Sequence, residues 1–282
     1  MKAPVVLKFS GELLEDPARM NAVVASIAGI VNAGTAPGGM LIVHGGGKEI
    51  DAALKVAGLE KRQVEGLRIT DEATLEVVVS VLAGIVNTRF VAALSAAGVA
   101  AVGLTGADGG CGLSDVAPPH RTVDGQSVEL GRVGLPNRSA DVRVLTTLME
   151  AGYVPVVCSI GTTRDGQLLN VNADTMAGHL AGALRARRLV IAGSTAGVLD
   201  NAGKTAGLLD PAAIATLVSS GTATAGMIAK LRACEEALAA GVDDVVILDG
   251  RDSDALRVTS IPGSGSVPAS VTRIVTTVGT RT

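Results

Sequence analysis

Three consecutive glycines, Gly45, Gly46 and Gly47, separate an apolar run from a helix-like run in LIVHGGGKEID (41–51). Residues without a Cβ let backbone N–H groups come close to a bound oxyanion and adopt positive φ, so this run suits a phosphate or a carboxylate. A tight strand-to-helix turn explains an isolated triple glycine equally well, and other residues must decide. Two further sets stand at comparable places: Lys8, Ser10 and Gly11 after the first apolar run, and Asn170 and Asp174 within LNVNADTMAG (169–178). Each puts small or polar groups where burial alone would need none.

The common nucleotide loops do not account for these residues. GGGKE lacks the glycine five residues before its Gly-Lys pair and the Ser or Thr after it, so it is not a P-loop. In GVLDNAGKT (197–205) the glycines enclose five residues where a P-loop has four, and the stretch reads as a hairpin loop. A dinucleotide fingerprint would need glycine at Ile50. Protein-kinase signatures are absent. Three scattered histidines form no metal-ligand pattern, and His44 and His179 read as structural.

The elements that must position these groups alternate. PVVLKF (4–9), MLIVH (40–44), VAAVGL (99–104), YVPVVCSI (153–160), RLVIAG (188–193) and DVVILDG (244–250) read as buried strands. Helical patterns lie near 18–33, 47–57, 71–97, 139–151, 174–186, 211–219 and 226–240. This order predicts an α/β fold: a three-layer α/β/α sandwich with a mainly parallel central sheet. Asp124-Gly125 and Asp165-Gly166 signal hairpins, and IPGSGSVPAS (261–270) reads as a surface loop before a last strand. Ligands of such sheets gather outside the carboxyl ends of the strands, where all three polar sets fall.

Composition excludes several classes. The 282-residue chain has a formal charge of −3, one Tyr, two Phe and no Trp, which leaves little for a basic groove or base stacking, so no nucleic-acid partner is expected. The uncharged stretch Phe90–Ala107 is long enough to suggest a membrane span. Gly98 divides it into a helix end and a short strand, so no membrane role is expected. Cys111, Cys158 and Cys234 are odd in number and widely spaced, as for free thiols in the cytoplasm.

The ordered set KFSGELL (8–14), VHGGGKEID (43–51), GLRITD (66–71), LAGIVNTRFVA (82–92), LGRVG (130–134), GYVPVVCSIGTTRDGQLLNVNADTMAG (152–178), GVLD (197–200) and AGMIAK (225–230) resembles the amino acid kinases, and among them the acetylglutamate kinases. The resemblance implies transfer of the ATP γ-phosphoryl group, with Mg2+, to the side-chain carboxylate of N-acetyl-L-glutamate, giving an acyl phosphate in arginine biosynthesis. Lys8, Asp174 and Lys230 match the catalytic set, with Lys230 expected in the first turn of its helix. Gly11, Gly45 and Gly46 match backbone donors to phosphate, while Arg68 and Asn170 match residues that hold the amino acid. Residues 1–185 would carry that substrate and the dimer contact, and 186–282 the nucleotide.

Ser194 stands in the nucleotide lobe where many members have aspartate, Ser10 where a second glycine is usual, and Ala107 where lysine is common. Sibling kinases for N-succinylglutamate or carrier-linked aminoadipate, and a catalytically silent sensor, share the same scaffold. Because the first strand begins by Pro4, the resemblance further implies a homodimer insensitive to arginine, joined through the apolar 71–97 segment.

Overall fold

The computed structural model describes residues 2–122, 124–200, 202–221, 225–260 and 267–276. The GTR stretch at 279–281, which also matches the family, and most of the 261–270 loop lie outside them. An eight-stranded sheet organises the chain, in the order β14 (Leu208–Leu209), β16 (Thr272–Ile274), β15 (Val245–Asp249), β13 (Arg188–Gly193), β1 (Val5–Phe9), β2 (Met40–His44), β10 (Val154–Cys158) and β5 (Ala101–Thr105). All its pairings are parallel except β15 with β16. The central strands β1, β2 and β10 are buried from end to end, as expected for a sheet covered on both faces.

Strand alternation divides the core into two. Val5, Leu7 and Phe9 face α1 (Pro17–Asn32), α3 (Glu72–Val79), α4 (Asn87–Ala96) and α9 (Ser253–Ser260). Val6 faces the other way, into the cluster built by α5 (Arg143–Glu150), α6 (Ala173–Ala183), α7 (Pro211–Ser219) and α8 (Ala225–Ala239). Lys8 shares the face of Val6 by the period of two, so it projects toward α6 and α8. Both clusters draw on residues from either side of the expected 185/186 boundary. The C-terminal strands β13 to β16 occupy one half of the sheet, with β13 next to β1.

The expected 71–97 helix forms with one local departure: Ser80–Val86 between α3 and α4 adopts π-helical bonding. By length and composition this Glu72–Ala96 helix could cross a bilayer. Val78, Val81, Leu82, Val86, Phe90 and Leu94 instead pack into the core, while Ile85 stays 55% exposed. The remaining strands form a rim above the sheet. β6 (Ser114–Val116), β9 (Val133–Pro136), β11 (Ile160–Thr162) and β12 (Leu168–Val171) make a four-stranded sheet; β3 (Gln63–Val64) pairs with β4 (Leu67–Arg68), and β7 (His120–Arg121) with β8 (Ser127–Val128). The two Asp-Gly pairs lie in the β7–β8 and β11–β12 connections, as their turn chemistry predicts. Leu199 and Thr205 bridge antiparallel, which makes the GVLDNAGKT stretch a hairpin rather than a phosphate loop.

Candidate active site

Lys8, Asp174 and Lys230 come together at the carboxyl end of β1. Lys8 Nζ lies 2.8 Å from Asp174 Oδ1, and Lys230 Nζ lies 3.3 Å from Oδ2. Lys230 is in the second turn of α8 as described, not the first, so it enters from the helix interior. Asp174 sits in the first turn of α6 but does not cap it. Asn172 does so, its Oδ1 accepting from the Asp174 and Thr175 N–H groups at 2.8 and 3.2 Å. That cap frees the Asp174 carboxylate to serve both lysines.

Burial opposes ionisation of Asp174, but the two ammonium groups outweigh it and hold the carboxyl at about 2. Burial also lowers the Lys8 pKa from its ordinary value, as does the Lys230 charge, while Asp174 works in the opposite direction. Two positive charges against one negative leave the cluster attractive to an anion.

A cavity of about 240 Å³ opens beside Lys8 and is lined by Gly11, Gly45, Gly46, Arg68 and Asn170 as well as Asp174. Two larger clefts, of about 380 and 520 Å³, lie against the α3–α4 helix and contain no lysine, so size does not select the site. The glycines are needed for close approach. A Cβ on Gly11 would stand 2.6 Å from Gly46 Cα, and one on Gly46 would stand 2.9 Å from the Leu82 side chain. Gly45 turns its own N–H to the Phe9 carbonyl at 3.4 Å. Among the described residues no backbone carbonyl receives the N–H of Gly11 or Gly46, so both are available as donors. The start of α2 (Gly47–Val56) adds the positive end of a helix dipole.

Across the cavity, Arg68 donates through Nη2 to Asp51, which also binds Lys61 at 2.6 Å. Its Nη1 is buried with no partner, a vacancy that a carboxylate would fill. Asn170 donates to Thr70 Oγ1 at 3.1 Å, and Thr70 in turn donates to the Arg68 carbonyl at 3.0 Å. The Ser10 hydroxyl is likewise buried without a partner. Ser194 lies outside this cavity, just beyond β13, where its hydroxyl donates to Glu12. Lys48 completes that group, 2.9 Å from Glu12, and Arg251 donates to the Ser194 carbonyl at 2.9 Å.

Sequence reasoning missed Asn172, Asp51, Glu12 and the partners of His44. Only Asn172 carried a local signal, as a helix-capping asparagine two residues before Asp174. Among the described residues no cluster of three side chains has the composition of a metal site. Asp174 is committed to two lysines and Glu12 to Ser194 and Lys48, so neither is a free ligand for a resident cation.

The amino acid kinase family model matches residues 3–249. An acetylglutamate kinase of Novosphingobium aromaticivorans is 39% identical over 93% of this chain and 89% of its own length. One from Methanopyrus kandleri is 41% identical over 86% of this chain and 93% of its own. A solved structure from Streptococcus mutans, smu.665, superposes with a TM-score of 0.76 at 27% identity, over 88% of this chain and 96% of that one. On the family match, these relatives and the shared architecture, the chain belongs to the amino acid kinase family.

Proposed function

We propose that this protein is an ATP-dependent kinase that phosphorylates the side-chain carboxylate of N-acetyl-L-glutamate, giving an acyl phosphate for arginine biosynthesis. The observation that carries the reading is the pairing of a dilysine–aspartate cluster with an arginine whose Nη1 is buried and unpartnered, across one small cavity. The relatives named above supply the acceptor's identity.

The chemistry fits these residues. A glutamate-type carboxylate has a pKa of about 4.3 and is already a nucleophile at neutral pH, so no general base is required. The barrier lies in bringing two anions together in line. Lys8 and Lys230 neutralise charge on the transferring group, and Asp174 holds the two ammonium groups at a fixed separation. The N–H groups of Gly11 and Gly46 bind phosphoryl oxygens. Arg68 takes the α-carboxylate through its vacant nitrogen and Asn170 the acyl amide.

ATP arrives as its Mg2+ complex, with the metal held chiefly by phosphate oxygens. The nucleotide lies over residues 186–282, with Ser194 and Glu12 at its edge, and the amino acid over residues 1–185. The protein works in the cytoplasm as a homodimer, away from membrane and nucleic acid. The exposed Ile85 and the apolar cleft beside edge strand β5 favour an interface there.

Hydroxamate trapping with ATP against N-acetylglutamate, N-succinylglutamate, glutamate and aspartate tests the proposal. Trapped product with N-acetylglutamate as the best acceptor is expected. Preference for another acceptor would reassign the substrate, and no product with any would refute kinase activity.

A further inference from the structure

His44 ends β2, one residue before the glycine run, and is fully buried. Alternation places it on the face of Met40 and Ile42, over α4. There Asn87 Nδ2 meets His44 Nε2 at 3.1 Å and also donates to the Val156 carbonyl at 2.9 Å. The second bond identifies the nitrogen as the amide end that faces the ring. Because Nδ2 can only donate, Nε2 accepts and the proton of the neutral imidazole is on Nδ1. Nδ1 lies 3.2 Å from the Gly45 carbonyl, which can only accept. The Gly45–Gly46 peptide is trans, and in a trans peptide the C=O and N–H point in opposite directions. Drawing the Gly45 carbonyl toward the buried ring therefore turns the Gly46 N–H away from it.

We propose that His44 is a positioning residue for phosphoryl transfer: it holds the Gly45 carbonyl so that the Gly46 N–H stays aimed at the transferring phosphoryl oxygen, and Asn87 fixes the ring tautomer this requires. The inference rests on the kinase reading. His44 exchanges no proton with the reactants. Burial lowers its pKa to about 4, so the neutral tautomer persists through the working range.

Two variants separate this role from packing. In His44→Asn the side-chain amide reaches the place of Nδ1–H and keeps the donor, while His44→Phe fills the ring volume without one. Loss of an aimed backbone donor predicts that His44→Phe lowers kcat at least about 30-fold, with KM for N-acetylglutamate unchanged within about threefold. His44→Asn should stay within about fivefold of the parent kcat. Packing alone predicts the reverse order, since Asn leaves a cavity and Phe does not. His44→Phe matching or exceeding His44→Asn would overturn the proposal. Nitrogen NMR of the unaltered protein decides independently of activity or of how the variants fold: protonation at Nδ1 is expected, and at Nε2 would overturn it. An unaltered protein that forms no acyl phosphate would sink the kinase reading, whereas an active one with the wrong tautomer sinks only this inference.

Discussion

Replacing Asp174 with asparagine keeps the side chain's shape and removes the one negative charge between two lysines. Two costs follow from the geometry. Lys8 is 5% exposed and would lose its counter-ion at 2.8 Å, and breaking one side of such a buried pair costs about 3–5 kcal/mol. At about 2 °C per kcal/mol for a chain of this size, the melting temperature should fall by roughly 6–10 °C. Part of this loss depends on pH. The folded Asp174 carboxyl titrates at about 2 against an ordinary 3.8, so its contribution, of about 2 kcal/mol, is present above pH ~4 and is lost as pH falls toward 2. The asparagine variant should lack that acid-dependent component.

Catalysis changes too, because the lysines are no longer held apart and kcat should drop about 10²-fold or more. With the carboxylate gone, burial and the Lys230 charge act on Lys8 without its counter-ion. Since Lys8 must be protonated to work, residual activity should decline with rising pH at a lower pH than in the parent enzyme. Hydroxamate assays from pH 6 to 9, with thermal melts carried from pH 7 down toward pH 2, read all of these. A variant with kcat within threefold of the parent and an unshifted pH profile would refute the argument.

Lys8→Ala or Lys230→Ala should each lower kcat about 10³-fold, as for other cations that act on a transferring phosphoryl group, and a loss below tenfold in both would remove them from the mechanism. Arg68→Lys should mainly raise KM for N-acetylglutamate and leave KM for ATP nearly unchanged, because the fork that grips a carboxylate is lost; an effect confined to ATP would place Arg68 in the other pocket. Light scattering should give a dimer, and Ile85→Asp should shift it toward monomer at micromolar concentration; a monomeric parent protein would contradict the proposed interface.

What the sequence made legible was periodic or local. The alternation of β1 foretells that Lys8 and Val6 share a face, and strand–helix order foretells a parallel sheet with polar sets at one edge. The π-helical Ser80–Val86 segment left no mark, since its apolar pattern fits an α-helix equally well. Asp174 stands in the first turn of α6, where an aspartate would also suit a cap, but Asn172 holds that place. His44 seemed to lack partners because Asn87 is 43 residues away in sequence, and such pairings are set by packing rather than by spacing. The shared cores were not legible, because each face of one sheet collects helices from both halves of the chain.

In the proposed reaction the substrate's own side-chain carboxylate oxygen attacks the γ-phosphorus, with no water or enzyme group intervening. N-Acetylglutamate labelled with 18O in that carboxylate tests it directly, when the product is trapped with hydroxylamine and the released phosphate is analysed by mass. Hydroxylamine attacks the acyl carbon and expels phosphate with its bridging oxygen, so one 18O atom per phosphate is predicted. Unlabelled phosphate would mean that water, not the carboxylate, had taken the phosphoryl group.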